Sequence, residues 1–176
     1  MSLAKQIIPT VTPEYASRLN RRNNAEYQHL WSILDSVCDP ELPTLTIWNL
    51  GILHDIKKLE DDTYCVEITL TYSGCPAVST IIEDIETAFK ESKITEKITV
   101  QVVLSPAWST DMMSPQGRQQ LRNLNIAPPE EEGALIHCPI CQSENTEVIS
   151  EFGSTACKAL YQCKDCLEPF DYFKRF

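Results

Sequence analysis

The stretch YCVEITLTYSGCPAVSTIIEDIETAF, residues 64–89, sets the fold class of this chain. From Tyr64 to Leu70 apolar residues alternate with polar or small ones, which predicts a β-strand. From Val78 onward apolar residues recur at helical spacing, which predicts an amphipathic helix. Between the two, Gly74 permits a tight turn and Pro76 suits the first turn of a helix. The stretch therefore predicts a strand, a turn and a helix.

Cys75 lies at the junction where this strand gives way to the helix. Backbone amides at a helix N-terminus and the helix dipole stabilise a thiolate, which is the nucleophilic and metal-binding form of cysteine. The opposing interpretation is an inert thiol that fills space in the core. The local sequence leaves both interpretations open.

The sequence on either side supplies the other elements of the domain. Asn23 and Asn24 can cap a helix, and Ser114 followed by Pro115 is typical of another helix start. The predicted elements are a helix over 23–37, an extended loop from 38, a strand over 51–59, a strand over 64–71, a helix from 78, a strand over 98–104 and a short helix over 115–123. This order predicts an α+β fold, a small α/β sandwich with helices on one face of a short mixed sheet.

Changes in composition divide the chain into four segments. Residues 1–22 are polar and broken by two prolines, which predicts a flexible N-terminal arm. Residues 23–125 form the α+β domain with its trailing helix. Residues 126–136 carry two prolines and three glutamates and are interpreted as a linker. Residues 137–176 are rich in cysteines, turns and aromatics, and the two CxxC pairs within them predict a small zinc-ribbon β domain.

Composition argues against several classes of function. The formal net charge is −10, and so acidic a surface repels a phosphate backbone, so nucleic acid is not an expected partner. No stretch approaches 18 apolar residues and the N-terminus lacks the apolar core of a signal peptide, so we expect a cytoplasmic protein with no membrane span. The eight cysteines then indicate metal binding or thiol chemistry rather than disulfides.

Four cysteines near the C-terminus form two CxxC pairs separated by 21 residues, namely Cys138, Cys141, Cys163 and Cys166. Two such turns can complete a tetrahedral four-sulfur zinc site, and the separation suits the strands of a zinc ribbon. Disulfides, redox pairs and a rubredoxin-like iron site are the alternatives, because four thiolates hold zinc or iron alike. With all four ligands from protein, the site would be structural. His137 is interpreted as a bystander, and Cys157, which fits neither pair, as a buried residue of the ribbon.

Few side chains of the first domain suggest chemistry. The chain contains no phosphate-binding glycine loop and no hydrolase serine motif. His29 is predicted on a helix surface, and His54 beside Asp55 makes a poor partner for Cys75 because adjacent strand residues point to opposite faces. Cys38 and Cys65 are interpreted as packing residues. Asp39 and Glu41 either bind loop amides or face a metal site, and the loop-organising role is the preferred interpretation.

Two sets of motifs resemble known families. DPELPTLTIWNLGIL followed by TLTYSGCPA resembles the iron–sulfur assembly domain of SufT-like proteins, whose hallmarks are the DPE triplet and the cysteine of the GCP turn. SPAWSTDMMSPQGRQQLRNLNIAPP and the C-terminal cysteine segment resemble the phenylacetate-degradation family PaaD, also called PaaJ. The resemblance runs from about residue 25 to the end. It implies that Cys75 handles iron or a cluster transiently, with Asp39, Glu41, Thr71 and Gly74 shaping the site.

The resemblance also implies a function and partners. It points to an accessory factor of the phenylacetyl-CoA ring-oxygenating (epoxidase) complex, rather than an enzyme, that helps assemble an iron–sulfur cluster in the reductase component. The expected partners are the subunits of that complex, and a homodimer is a further candidate assembly. The chain lacks the carboxylate–histidine helices of a di-iron centre and any flavin or nicotinamide fingerprint, which an oxygenase or reductase needs. A structural or electron-transfer subunit of the oxygenase is the competing interpretation.

Overall fold

The structure, a computed structural model, describes residues 11–72 and 74–176. It contains two short 3-10 helices, at Ala25–Tyr27 and Thr110–Met112. The α-helices are α1 (Pro13–Arg22), α2 (Gln28–Leu34), α3 (Ile47–Leu50), α4 (Val78–Ser92) and α5 (Pro115–Asn123). The strands are β1 (Cys38–Asp39), β2 (Leu42–Thr46), β3 (Leu53–Lys58), β4 (Tyr64–Ile68), β5 (Ile98–Val102), β6 (Ile126–Ala127), β7 (Thr146–Ser150), β8 (Lys158–Cys163) and β9 (Pro169–Phe173).

A three-stranded mixed sheet forms the centre of the first domain, which confirms the predicted fold class. Strand β4 pairs antiparallel with β3 and parallel with β5. Ile56, Val66 and Ile68 of this sheet are almost fully buried, in one core with Ile81 and Ile85 of α4. The alternating strand and the helical stripe of residues 64–89 thus bury their apolar faces against each other.

The predicted flexible N-terminal arm is wrong for Pro13–Arg22, because these residues form helix α1. Thr12 caps the helix, since its side chain accepts a hydrogen bond from the Tyr15 N–H at 3.2 Å. Arg18 is only 1% exposed, and its guanidinium donates to backbone carbonyls of the first domain. Thr12 followed by Pro13 is a helix-start signal in the sequence, but the side chain that the helix buries fully, Arg18, is charged and does not mark an apolar face. Residues 1–10 of the predicted arm lie outside the described residues.

The segment predicted as an extended loop from residue 38 also has regular structure. Strands β1 and β2 form a small antiparallel hairpin, and α3 follows directly. Thr46 caps α3 by accepting from the Asn49 N–H at 3.1 Å. Gly51 ends α3 with a φ of 91°, in the left-handed region that favours glycine. The two prolines of the segment hid these short elements.

The trailing helix α5 begins as predicted, with Ser114 as its cap and Pro115 in its first turn. The Ser114 hydroxyl accepts from the Gly117 N–H at 2.9 Å and donates to the Asn49 side chain at 2.7 Å. A Cβ at Gly117 would meet the Asn49 backbone, lying 3.0 Å from its carbonyl carbon. Glycine therefore allows α5 to lie directly on α3.

The C-terminal domain is a four-stranded sheet in the order β6, β9, β8, β7. Its first strand corrects the predicted linker, because Ile126 and Ala127 are buried and pair in parallel with β9. The domain is also not a free appendage. Phe173 and Phe176 pack on Trp108 of the first domain, and Arg175 pairs with Asp111 at 3.0 Å.

Within residues 11–72 and 74–176, no helix is both long and apolar enough to cross a membrane.

Candidate functional site

The four CxxC cysteines converge as their spacing predicts. Their sulfur atoms all lie within 4.8 Å of one another. The Sγ atoms of Cys138 and Cys166 are 3.8 Å apart, and those of Cys141 and Cys163 are 3.5 Å apart. In a tetrahedron with Zn–S bonds of about 2.3 Å the sulfurs are separated by about 3.8 Å, so these distances fit a single metal ion. The arrangement is a closed four-thiol metal site of the structural kind.

Hydrogen bonds around this centre hold its two turns. The Cys166 N–H donates to Cys163 Sγ at 3.5 Å. This bond, together with the Asp165 N–H and the neighbouring thiols, lowers the pKa of the Cys163 thiol to about 7. Asp165 accepts from Ser143 at 2.5 Å and from Asn145 at 2.8 Å, which ties the second CxxC turn to the first. His137 lies outside the sulfur set and pairs with Glu144 at 3.3 Å.

Cys75 lies in a turn at the edge of the first domain and is half-buried. Its N–H donates to the Tyr72 carbonyl at 3.2 Å. Helix α4 begins at Val78, so Pro76 precedes the helix instead of starting it. The helix thus begins at the residue that the apolar pattern predicts, three positions after Cys75.

Asp39 organises the neighbouring hairpin. Its Oδ1 accepts from the Glu41 N–H at 2.9 Å and from the Leu42 N–H at 3.0 Å, as expected for a loop-organising carboxylate. The residue is 7% exposed, and burial raises the pKa of its carboxyl group. Glu41 is exposed at the hairpin tip.

A small cavity joins this hairpin to the Cys75 turn. Its volume is about 20 Å³. Four of the five predicted site residues line it, namely Asp39, Glu41, Thr71 and Cys75. Gly74 is exposed next to Cys75 and does not line the cavity. The DPE and GCP motifs are 33 positions apart in sequence, counted from Glu41 to Gly74. The fold brings the two motifs together at this cavity.

The second domain supplies the other wall of this cavity, which the sequence did not predict. The residues are Thr155, Cys157, Lys158 and Phe173. Cys157 is half-buried rather than fully buried, and it packs against the first domain's core as well as belonging to the ribbon. Thr155 Oγ1 lies 2.9 Å from its sulfur, and burial raises the pKa of the Cys157 thiol. The one signal in the sequence was a cysteine left over after the CxxC pairs.

Cys38, Cys65 and the histidines do not line the cavity, although Cys38 directly precedes Asp39. Cys65 is buried on β4, 3.6 Å from the Gln101 side chain, and Cys38 is half-buried. Burial raises the pKa of both thiols. His29 is exposed and pairs with Glu96 at 3.4 Å, whereas His54 is buried on β3.

Comparison with known families identifies the class of protein. Residues 28–123 match the family described as "Iron-sulfur cluster assembly protein". That match covers more than half of the chain, so the chain belongs to the iron–sulfur cluster assembly protein family. Residues 127–174 match the family described as "PaaD zinc beta ribbon domain". The two matches in this order confirm the resemblance to PaaD proteins that the sequence motifs indicate.

Individual relatives agree with both matches. The chain is 44% identical over 158 residues to an Escherichia coli K12 protein named as a subunit of a "Putative 1,2-phenylacetyl-CoA epoxidase", covering 85% of this chain and 93% of that protein. It is 37% identical over 78 residues to the Staphylococcus aureus "Fe-S protein maturation auxiliary factor SufT", covering 44% of this chain and 88% of that protein. A solved structure of "Domain of Unknown Function DUF59 from Bacillus anthracis" matches at 29% identity and a TM-score of 0.49, covering 60% of this chain and 95% of that chain.

Proposed function

We propose that this protein is an accessory maturation factor of the phenylacetyl-CoA ring-oxygenating (epoxidase) complex, and that it assists iron–sulfur cluster assembly or insertion in the reductase component. The proposal rests on one observation: the same chain is similar to two kinds of protein. Residues 28–123 match a cluster-assembly family, while most of the chain is 44% identical to a protein named as an epoxidase subunit. An assembly domain joined to an epoxidase-type ribbon suits a factor dedicated to that complex.

In this proposal Cys75 is the thiol that handles iron or a cluster as cargo. Two observations support this role. Cys75 is half-buried, and it lines a small cavity together with two carboxylates, Asp39 and Glu41. Asp39 holds the DPE hairpin through two backbone N–H groups, so it also fixes one wall of the cavity. Thr71 forms part of the wall, and Gly74 is exposed beside Cys75.

The ribbon has a structural role in this account. Cys138, Cys141, Cys163 and Cys166 would hold one zinc ion, which stabilises a domain too small to bury enough apolar surface alone. The ion would fix the ribbon, and through Phe173 and Phe176 the ribbon is fixed against Trp108. The protein would act in the cytoplasm, without catalysing a reaction of its own, on the subunits of the epoxidase complex.

The test is cluster content of the reductase when it is produced together with this protein. We expect the reductase to contain less iron and acid-labile sulfide with Cys75→Ser than with the unchanged protein. Cys38→Ser is the matched control, because Cys38 is also half-buried but does not line the cavity. A reductase with full cluster content beside Cys75→Ser would remove Cys75 from the mechanism.

A structural or electron-transfer subunit is the second candidate, because a four-thiol site also suits iron. It requires stable, stoichiometric co-purification with the other subunits, and for electron transfer a red ribbon that contains iron. Metal analysis of protein purified without oxygen separates the two candidates. Zinc alone at the ribbon supports the maturation role, and iron at the ribbon supports electron transfer.

A further inference from the structure

The ribbon forms one side of the cavity at Cys75, through Thr155, Cys157, Lys158 and Phe173. Tyr72, in the same turn as Cys75, also lines the cavity. Burial raises the pKa of the Tyr72 hydroxyl, and the nearby thiols of Cys75 and Cys157 raise it further. The neighbours of Cys75 in sequence, Gly74 and Pro76, are exposed, whereas Cys75 is half-buried beside the ribbon wall. The ribbon therefore restricts access to the turn at the cysteine itself.

The ribbon wall is not a general requirement of the assembly domain. The 78 residues that match the Staphylococcus aureus maturation factor make up 88% of that protein. That protein is therefore too short to contain counterparts of both residues 28–123 and residues 127–174. The wall at Cys75 is an addition to the assembly domain in this chain.

Each domain has a hydrophobic core of its own. The ribbon core contains Ala127, Cys138, Cys163 and Phe170, and it is separate from the core of the first domain. Phe173 and Ile126 lie on ribbon strands but are buried in the first domain's core, so they form the apolar part of the contact between the domains. Domains with separate cores can part as units, because most of each core stays intact.

The last three residues, 174–176, form a tail that fastens the ribbon to the first domain. The Phe176 ring lies 5.8 Å from the Trp108 ring, and the Phe176 carbonyl accepts from the Thr110 N–H at 3.4 Å. Arg175 pairs with Asp111 at 3.0 Å. Both tail side chains are exposed to solvent, and exposed aromatic contacts and ion pairs are individually weak. The tail is therefore a weaker fastening than the packing within either core.

We propose that the ribbon is a cover for the Cys75 cavity, that the tail holds this cover shut, and that undocking of the ribbon exposes the Cys75 thiol. The docked form shields the thiol and its cargo, and the undocked form opens the site to the acceptor protein. The inference rests on the proposed function, because it assigns the regulation of the site at which Cys75 handles cargo. The two remain separable, since the accessibility of a thiol is measured without any reductase.

The experiment measures the rate at which iodoacetamide alkylates Cys75 in the full-length, zinc-loaded protein, followed by mass spectrometry of the peptide that contains it. The test variant carries Arg175→Ala and Phe176→Ala together, and Phe176→Ala alone is the milder variant. We expect alkylation of Cys75 in the double variant to be at least about fivefold faster than in the unchanged protein, because loss of an aromatic contact and an ion pair shifts the docking equilibrium by about this factor or more. The single variant should lie between the two.

Two controls make the result specific to the cover. Phe152→Ala removes an exposed ring of the ribbon that contacts Lys174 instead of Trp108, so it should alkylate like the unchanged protein. Cys38 is half-buried but does not line the cavity, so its rate should be the same in every variant. Zinc content and thermal melting of the same samples show that both domains are folded.

Equal rates at Cys75 in the unchanged protein and in both tail variants would overturn the cover and leave the role of Cys75 standing. Equal acceleration of Cys38 and Cys75 would overturn it as well, because the exposure would then not be specific to the cavity. Faster alkylation of Cys75, together with full reductase cluster content beside Cys75→Ser, would support the cover and remove the proposed function.

Discussion

Arg18 allows a quantitative test of how the N-terminal helix is held. Its guanidinium, buried and stacked 4.1 Å over the Trp48 ring, donates to three backbone carbonyls: Leu53 at 2.6 Å, Trp48 at 3.0 Å, and Met112. Arg18→Met keeps the aliphatic stem but removes every one of these donors. Each buried carbonyl left without a partner costs about 1–3 kcal/mol.

A second effect opposes this loss. A buried charge costs free energy because it loses its hydration, and this burial lowers the pKa of Arg18 from 12.5 to about 9. Removing the charge therefore recovers part of the loss, while loss of the contact with Trp48 adds about 1 kcal/mol. The Trp48 carbonyl keeps a donor, because it also accepts from the Gly51 N–H at 3.1 Å. The Leu53 and Met112 carbonyls lose their Arg18 donor together, and this loss outweighs the recovered charge. We expect a net decrease of about 2–3 kcal/mol in the free energy of unfolding.

The assay is urea unfolding of the zinc-loaded protein, with Arg22→Met as the matched control. Arg22 lies on the same helix and also contacts the Trp48 ring, at 4.7 Å, but it pairs with the exposed Asp35 carboxylate instead of donating to buried carbonyls. Its loss should therefore cost only about 1 kcal/mol. Equal midpoints for the two variants would refute the reasoning that Arg18 anchors α1.

Three further predictions concern packing, pH and the metal. Gly117→Ala should lower the free energy of unfolding by about 1–3 kcal/mol, because its Cβ would collide with the Asn49 backbone; an unchanged urea midpoint would contradict the close packing of α5 on α3. Burial lowers the pKa of His54 from 6.5 to about 4, so unfolding takes up a proton between these values and stability falls as pH drops through that window. Relative to the unchanged protein, His54→Leu should lose about 1–2 kcal/mol less between pH 7 and pH 5; parallel losses would show that His54 is not responsible. Cys163→Ser should unfold the ribbon and leave the first domain folded in NMR spectra; a ribbon that stays folded would contradict a structural metal there.

The sequence predicted those parts of the fold that depend on short-range pattern. Alternation in β4, the apolar stripe of α4 and the Ser114 cap are local features, and the structure has all three. The CxxC spacing likewise brings four sulfurs together with little dependence on the rest of the chain.

Long-range packing decided the parts that the sequence missed. Helix α1 has a local start signal, Thr12 followed by Pro13, but the carbonyls that anchor it come from residues 48, 53 and 112, which no local pattern reveals. Strand β6 exists only because β9 pairs with it. Cys157 became a site residue for the same reason, since its place in the cavity depends on how the ribbon docks on the first domain.

The most direct test of the central claim follows isotopically labelled iron from this protein to the reductase. The zinc-loaded protein is charged with labelled ferrous iron and mixed with cluster-free reductase, sulfide and a reductant, without oxygen. We predict that label enters the reductase cluster faster than from the same concentration of free ferrous iron, and that Cys75→Ser removes the advantage while Cys38→Ser keeps it. Equal rates from the charged protein and from free iron would contradict the role of Cys75 in supplying iron.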